Sequence, residues 1–150
     1  MLPIGATAPD FTLPDENDTP VRLSALLGTG PLILYFYPAD FTPGCTREAC
    51  ALRDLHDELS RTPLAVCGVS PQSTASHRRF KAKYRLPFRL LSDPDKTVIR
   101  LYGCDGPFGF GVRRASYLIG RDGRIEAAVL ADFFISEHER FFKQVIEKYL

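Results

Sequence analysis

The chain carries the stretch Leu32-Ile-Leu-Tyr-Phe-Tyr37, followed directly by Pro38-Ala-Asp-Phe-Thr-Pro-Gly-Cys-Thr-Arg-Glu-Ala-Cys50. The first part is an apolar, β-branched and aromatic run between prolines, a pattern typical of a strand buried on both faces. From Thr42 onward the apolar residues recur at steps of three and four, which predicts an amphipathic helix that continues to Leu59. A buried strand that leads straight into a helix indicates an α/β fold.

The alternation of strand and helix patterns continues on both sides of this stretch. Two short extended pieces around residues 15–20 predict an N-terminal hairpin. We predict further strands at residues 64–69, 88–91, 115–119 and 124–130, the last two joined by a turn at Asp122-Gly123. The sequence therefore predicts an α/β sandwich with a mixed central sheet, parallel in its βαβ part and antiparallel in the last hairpin.

Three further helices are predicted from their starting signals. Ser73 is placed to cap a helix that runs to Tyr84. Asp93-Pro94 suggests a capping side chain and a first-turn proline for a helix that stops at Gly103. Ser136-Glu-His-Glu139 has the pattern of a capping box for the last helix, whose apolar face is Phe141, Phe142, Val145, Ile146 and Tyr149.

Length and composition suit one ordinary globular unit. The 150 residues are 45% hydrophobic and 25% charged, which excludes disordered and fibrous classes and predicts a single domain over residues 1–150. A formal net charge of +1 leaves no basic footprint for nucleic acid. The longest apolar run is too short to cross a membrane, and the N-terminus lacks the features of a secretory signal, so the cytoplasm is the expected compartment.

Cys45 is the first candidate for chemistry. With Thr42 as the N-cap and Pro43 in the first helical position, Cys45 falls in the first turn, where free N–H groups and the helix dipole favour a thiolate. The site would lie at the carboxyl end of a strand, where ligands bind in open α/β sheets. The alternative is that Cys45 is only a small buried apolar residue, as free cysteines often are.

The other cysteines differ in what their positions suggest. Cys50 lies ~140° around the helix from Cys45, so it is either a partner thiol or an inert surface cysteine. Cys67 falls inside an apolar strand and is expected to pack in the core. Cys104 lies in a glycine-rich loop that could be exposed, and no role is assigned to it. The three histidines complete no metal-binding spacing, so no metal is expected.

The segment from Pro38 to Cys50 resembles the active-site motif of the peroxiredoxins. Pro38, Thr42 and Cys45 match the motif, and Cys50 five residues later resembles the branch called bacterioferritin comigratory protein or peroxiredoxin Q. The similarity extends from residues 5–13, through 86–95, to 114–119, and thus covers nearly the whole chain. Residues 72–90 contain no cysteine, which excludes the variant of this branch with its resolving cysteine in the next helix.

The resemblance implies a thioredoxin-like fold with an N-terminal hairpin extension and an atypical two-cysteine peroxidase. It implies that Cys45 is the peroxidatic cysteine and that Cys50 is the resolving one. Pro38 and Thr42 would shape the pocket. Arg114 matches the active-site arginine of the family and Glu48 the acidic residue that orients it; without the motif, Arg114 would be a solvated strand edge and Glu48 an ordinary first-turn acid.

Three functions compete at this point. The first is a thiol peroxidase that reduces hydrogen peroxide or organic hydroperoxides, needs no cofactor, acts as a monomer and is recycled by thioredoxin or a similar dithiol reductant. The second is a thiol–disulfide oxidoreductase on the same fold, although such enzymes carry C-x-x-C and this chain has C-x4-C. The third is a binding module switched by cysteine oxidation.

Overall fold

The computed structural model describes residues 1–150. The strands are β1 (Thr12–Pro14), β2 (Pro20–Arg22), β3 (Leu32–Phe36), β4 (Ala65–Ser70), β5 (Arg89–Ser92), β6 (Ala115–Ile119) and β7 (Ile125–Leu130). The helices are α1 (Leu23–Leu27), α2 (Pro43–Asp54), α3 (His56–Leu59), α4 (Thr74–Tyr84), α5 (Thr97–Leu101) and α6 (Ile135–Tyr149). None of these helices is long and apolar enough to span a membrane.

Five strands form one mixed sheet in the order β5-β4-β3-β6-β7. The β3–β4 and β4–β5 pairs are parallel, whereas β3–β6 and β6–β7 are antiparallel. Strands β1 and β2 form a separate antiparallel hairpin that pairs Leu13 with Val21. The predicted mixed sheet and N-terminal hairpin are both confirmed.

Strand β3 is the centre of the core. Its alternate residues point to opposite faces of the sheet, so Leu34 and Phe36 pack in one apolar cluster while Ile33 and Tyr35 pack in the other. Helices cover both faces, and every β3 side chain is at most 1% exposed. This double burial explains why the strand reads as a continuous apolar run rather than an alternating one.

The antiparallel pairing of β3 with β6 positions the site. Phe36 at the end of β3 is opposite Ala115 at the start of β6. The residue that precedes β6, Arg114, therefore lies at the same edge of the sheet as the loop that leads from β3 into α2. This pairing brings together two segments that are far apart in sequence.

Three predicted helix boundaries are wrong. The helix predicted from Thr42 to Leu59 is broken at Leu55, so α2 ends at Asp54 and α3 follows as a separate turn. The backbone at Leu55 leaves helical values, with φ −92° and ψ 9°. The residues predicted to form one helix are therefore divided between α2 and α3.

Asp93 and Pro94 do not begin a helix. The Asp93 carbonyl accepts from the Lys96 N–H at 3.0 Å and closes a turn that contains Pro94. Helix α5 begins at Thr97, after Lys96 in a left-handed conformation with φ 59°. The Asp93 carboxylate still reaches the helix, where Oδ2 accepts from the Ile99 N–H at 2.8 Å. Asp93 thus bonds to the helix as a capping residue would, but the turn moves the start of the helix to Thr97.

The capping box predicted at Ser136 and Glu139 is also wrong. Helix α6 begins at Ile135, so Ser136 is already inside the first turn, and no side chain caps this end. Glu139 instead accepts from Arg47 Nε of α2 at 2.6 Å. This ion pair links the two helices that flank the site. At α4, by contrast, Ser73 Oγ accepts from the Ser76 N–H as predicted.

Candidate active site

Cys45 lies in the first turn of α2 and is 1% exposed. Thr42 occupies the N-cap position with extended backbone, and Pro43 follows in the first turn, as predicted. Cys45 belongs to the apolar cluster on the Tyr35 face of the sheet. A thiol at this position meets the positive end of a helix from within a mostly apolar environment.

Thr42 holds the loop rather than the helix. Its Oγ1 donates to the Ala39 carbonyl at 2.9 Å and makes no cap to α2, contrary to what an N-cap threonine usually does. The N–H groups of the first turn therefore have no side-chain partner. They stay available to an anion or an oxygen atom that enters beside Cys45.

Arg114 connects the cysteine to a buried carboxylate. Its Nη2 donates to Cys45 Sγ at 3.3 Å and its Nη1 donates to Glu48 Oε1 at 2.9 Å. The arginine is 6% exposed, and its backbone N–H donates to Asp132 Oδ1 at 3.0 Å. Burial opposes its charge, but Glu48 and Cys45 outweigh that effect, so the Arg114 pKa is raised and the side chain stays cationic.

Glu48 is fully buried and paired with Arg114, so it is not an ordinary first-turn acid. Burial raises the pKa of Glu48 from 4.5 to about 7, although the charge and hydrogen bond of Arg114 act in the opposite direction. Its second oxygen, Oε2, accepts no hydrogen bond. This carboxyl group therefore changes protonation in the neutral range while it contacts the arginine that contacts Cys45.

His138 and Ser116, which no sequence motif singled out, are buried neighbours of this group. His138 is fully buried on α6, with Nδ1 3.4 Å from Glu48 Oε2. Ser116 Oγ lies 2.9 Å from the same Nδ1, and His138 Nε2 lies 2.9 Å from the Ala131 carbonyl. A signal existed, because His138 precedes Phe141 and Phe142 by three and four residues and thus falls on the apolar face of the last helix.

A second buried network holds the loop before α2. Asp40 accepts from the Tyr37 hydroxyl at 2.7 Å and from the Ser76 hydroxyl at 2.8 Å, and its Oδ2 lies 2.7 Å from His77 Nδ1. His77 Nε2 donates to the Leu91 carbonyl at 3.0 Å. The loop is thus tied to α4 and β5 independently of α2.

The remaining cysteines occupy different environments. Cys50 is partly exposed on α2, and burial raises its pKa somewhat. Cys67 is fully buried in β4, as expected, and burial raises its pKa to about 12. Cys104, whose loop could have been exposed, is also fully buried, next to Tyr102 and Tyr117. All four are free thiols, and no cluster of His, Cys, Asp and Glu could hold a metal ion.

A cleft of about 690 Å³ opens beside the cysteine helix. Pro38, Thr42 and Arg114 line it, as does Gly44. Its apolar rim includes two strongly exposed phenylalanines, with Phe110 78% and Phe133 89% exposed. The structure thus brings together five of the predicted residues, namely Pro38, Thr42, Cys45, Glu48 and Arg114, and places Cys50 one and a half turns along the helix.

The chain is similar to known proteins in sequence and in structure. Residues 4–128 match the model of the AhpC/TSA family. The chain is 45% identical over 132 residues to a putative peroxiredoxin bcp from Coxiella burnetii, a match that covers 84% of this chain and 87% of the relative. It is 40% identical over 135 residues to a chloroplastic peroxiredoxin Q from Sedum lineare, covering 89% and 72% of the two chains.

The fold agrees with solved structures of the same group. Peroxidoxin BcpB from Mycobacterium tuberculosis superposes with a TM-score of 0.91 at 34% identity, over 99% of this chain and 98% of the other. The bacterioferritin comigratory protein of Xanthomonas campestris superposes with a TM-score of 0.86 at 27% identity, over 99% and 97%. The match of family, relatives and fold across nearly the whole chain has one meaning: the chain belongs to the AhpC/TSA family, as a peroxiredoxin of the bacterioferritin comigratory protein or peroxiredoxin Q branch, and is a thiol peroxidase.

Proposed function

We propose that Cys45 is the peroxidatic cysteine and reduces hydrogen peroxide and organic hydroperoxides in the cleft beside α2. The contact between Arg114 Nη2 and Cys45 Sγ, 3.3 Å long and almost fully buried, carries this assignment. A fixed cation on the sulfur stabilises a thiolate, which is the nucleophilic form of cysteine. Neither Cys67 nor Cys104 has a cationic side chain bonded to its sulfur.

The attack proceeds in line on one peroxide oxygen. Sulfur gains that oxygen and becomes a sulfenic acid, while the O–O bond breaks and the second oxygen leaves as hydroxide or alkoxide. Arg114 and the free N–H groups at the start of α2 point towards the region where this negative charge develops. Thr42 and Pro38 line the same cleft and orient the peroxide.

Cys50 then resolves the sulfenic acid as an intramolecular disulfide. It is partly exposed and lies on the same helix as Cys45. An ideal helix places Cα atoms five residues apart at ~8.7 Å. A disulfide tolerates at most ~7 Å, so the first turns of α2 must unwind during each cycle. The separate anchoring of the preceding loop through Asp40 supports such a local change.

A thioredoxin-type dithiol then reduces the disulfide. The same thiols could in principle serve a thiol–disulfide oxidoreductase, or a binding module switched by oxidation. However, the spacing is C-x4-C rather than C-x-x-C, and Cys45 is 1% exposed, so a protein disulfide could not reach it in the folded helix. A peroxide is small enough to enter the cleft.

The rim of the cleft favours apolar hydroperoxides. Phe110, Phe133 and Ile135 line it, and the exposed phenylalanine rings offer contact area to an alkyl or aryl group. The X. campestris protein is described in terms of its alkyl peroxide reduction activity. We therefore infer that organic hydroperoxides are the better substrates of this chain.

The proposal includes the physical form of the enzyme. Residues 1–150 act as one domain, since both apolar clusters pack against the same five-stranded sheet. We propose that the chain works as a monomer, because all the groups that the reaction uses belong to one chain, and without a cofactor, because the electrons come from thiols. The cytoplasm is the compartment we propose, and with a net charge of +1 we propose no nucleic-acid or membrane partner.

Peroxide consumption coupled to a thioredoxin recycling system tests the function. We expect turnover with hydrogen peroxide and with an aryl hydroperoxide, and no reduction of insulin disulfides by the same preparation. Turnover of insulin without peroxide consumption would favour the oxidoreductase. Dimedone labelling after one equivalent of peroxide should mark Cys45 in the Cys50→Ser variant.

A further inference from the structure

Cys45, Arg114, Glu48 and His138 form one buried group whose proton balance follows from the proposed role of Cys45. We propose that Cys45 and Glu48 share a single negative charge opposite Arg114, with a proton held between Glu48 Oε2 and His138 Nδ1 while the sulfur is a thiolate and given up when the sulfur is oxidised. Glu48 is then a proton store for the site, in addition to positioning Arg114.

The unpartnered oxygen of Glu48 favours a proton at this position. His138 Nε2 must carry a hydrogen, because its partner at 2.9 Å, the Ala131 carbonyl, can only accept. In the neutral imidazole, Nδ1 is therefore an acceptor. The Ser116 hydroxyl, 2.9 Å away, can donate to Nδ1, but Glu48 Oε2, 3.4 Å from the same nitrogen, is buried without a hydrogen-bond partner. A proton on Oε2 would complete this contact.

The buried charges of Cys45, Glu48 and Arg114 also favour a bound proton. Cys45 is 1% exposed, Glu48 0% and Arg114 6%. One cation against a thiolate and a carboxylate would leave an uncompensated negative charge in a dry site, which is costly. One bound proton makes the group neutral. Oxidation to the neutral sulfenic acid removes the sulfur charge, and Glu48 can then ionise against Arg114 without competition.

The groups that face Glu48 decide where the proton sits. They are Cys45 on its own helix, Arg114 before β6, His138 on α6 and Tyr35 on β3. Burial raises the pKa of Glu48 to about 7, with Arg114 opposing. Burial and the nearby Arg114 lower the pKa of His138. The carboxyl therefore takes the proton in preference to the imidazole.

The stored proton balances the reaction. The thiolate attacks the peroxide, a sulfur–oxygen bond forms, the O–O bond breaks and an alkoxide leaves, so sulfur loses two electrons to the peroxide. The alkoxide takes up one proton to become an alcohol. Because Glu48 releases one proton in the same step, the oxidation draws no net proton from solvent. Without that release, each event would take one proton from the medium.

The experiment counts protons during a single oxidation. The Cys50→Ser background stops the reaction at the sulfenic acid. In weak buffer near neutral pH, a pH indicator follows proton uptake while the ultraviolet absorbance of the thiolate follows its loss. The isosteric Glu48→Gln variant is the comparison, since its amide can donate to His138 and accept from Arg114 but cannot ionise.

We expect the Glu48 protein to lose thiolate absorbance with clearly less proton uptake than Glu48→Gln, which should take up about one proton per Cys45. An infrared difference spectrum of the Glu48 protein should also lose the C=O stretch of a protonated carboxyl on oxidation. This band decides the question alone if Glu48→Gln does not fold.

Equal proton uptake in both proteins, or an infrared spectrum without the carboxyl change, would overturn the proton store. Dimedone labelling in the same samples separates this outcome from a failure of the proposed function. If dimedone labels Cys45 but the proton uptake is equal in both proteins, only the proton store is wrong. If Cys45 is not labelled, the peroxidatic assignment itself is wrong.

Discussion

Arg114 touches Cys45 across 69 residues of sequence, with Nη2 3.3 Å from Sγ. The contact exists because β6 runs antiparallel to β3, which brings the start of one strand to the end of the other. The guanidinium holds the cysteine sulfur with one nitrogen and Glu48 with another. A planar fork is needed to serve both at once.

We expect Arg114→Lys to slow the reaction of Cys45 with peroxide. An ammonium is a single point charge and cannot contact Sγ and the Glu48 carboxylate in the same geometry. The loss should be on the order of 10²–10³ in rate, as for removal of one oxyanion donor. Stopped-flow oxidation measures it, with Arg121→Lys on an exposed turn as the control. An unchanged rate constant for Arg114→Lys would contradict the role of the fork.

Cys45→Ser should abolish turnover, whereas Cys67→Ser should keep it. Cys67 is fully buried in β4 and its pKa is about 12, so it remains an unreactive thiol at neutral pH. Its serine variant buries a hydroxyl in an apolar strand and should lower the free energy of unfolding by roughly 1–3 kcal/mol. Peroxidase assays and urea unfolding measure the two effects. Substantial activity in Cys45→Ser would reject the assignment.

The Cys45–Cys50 disulfide should unwind the start of α2. The reduced helix is unbroken from Pro43 to Asp54, and its geometry holds the two Cα atoms too far apart for a bond. Hydrogen exchange should therefore show less protection between Thr42 and Leu52 after oxidation, and reduction should restore it. The α4 amides serve as the internal control. Equal protection in both states, with the disulfide mapped, would show that no unwinding is needed.

Phe133→Ser should reduce the preference for bulky hydroperoxides. The ring lines the cleft and is 89% exposed, so its removal costs the fold little but removes apolar contact with an aryl group. We expect kcat/KM for an aryl hydroperoxide to fall roughly tenfold and the value for hydrogen peroxide to stay unchanged. Phe108→Ser is the matched control, because Phe108 is 99% exposed and does not line the cleft. An equal fall in kcat/KM for both substrates would contradict a role of Phe133 in selecting bulky hydroperoxides.

Glu48 should make the protein less stable as the pH rises from 4.5 to 7. Its pKa is raised on folding, so over this range the folded state holds a proton that the unfolded state has lost, and the free energy of unfolding decreases with pH. Glu48→Gln should remove this decrease, which amounts to a few kcal/mol at most. Chemical unfolding at several pH values measures it, with the exposed Glu147→Gln as control. Superimposable curves for parent and Glu48→Gln would refute the burial effect.

Local patterns predicted the parts of the molecule that local interactions decide. The buried run at 32–37 and the helix start at Cys45 both follow from short-range periodicity and capping, and the structure confirms them. Local pattern alone makes Glu48 an ordinary first-turn acid, three residues from Cys45 on the same side of the helix, and only the family resemblance pairs it with Arg114. Its buried carboxylate pairs with Arg114, which precedes β6, and nothing within the helix specifies that partner.

Long-range polar pairs could not be predicted in the same way. Asp40 and His77 are 37 residues apart, and neither belongs to a pattern that anticipates a 2.7 Å contact. The start of α5 shows a related limit, because Asp93-Pro94 signals a helix correctly but a turn through Lys96 moves it. The capping residue shows that a helix is near, but the turn closed between the Asp93 carbonyl and the Lys96 N–H decides where the helix begins.

The loop that carries Phe110 is closed by its own backbone contacts, separately from those that hold Arg114. It is closed at its base by the bridge between Asp105 and Val112 and by the Arg113 N–H on the Cys104 carbonyl, while Arg114 is fixed separately by Asp132. The guanidinium itself is held by Glu48 and Cys45, so a changed side chain at Phe110 leaves its contacts in place. For protein engineering, this loop is a place to vary the sequence. Substitutions there would change which hydroperoxides the cleft accepts, while Arg114 keeps its contact with the Cys45 sulfur.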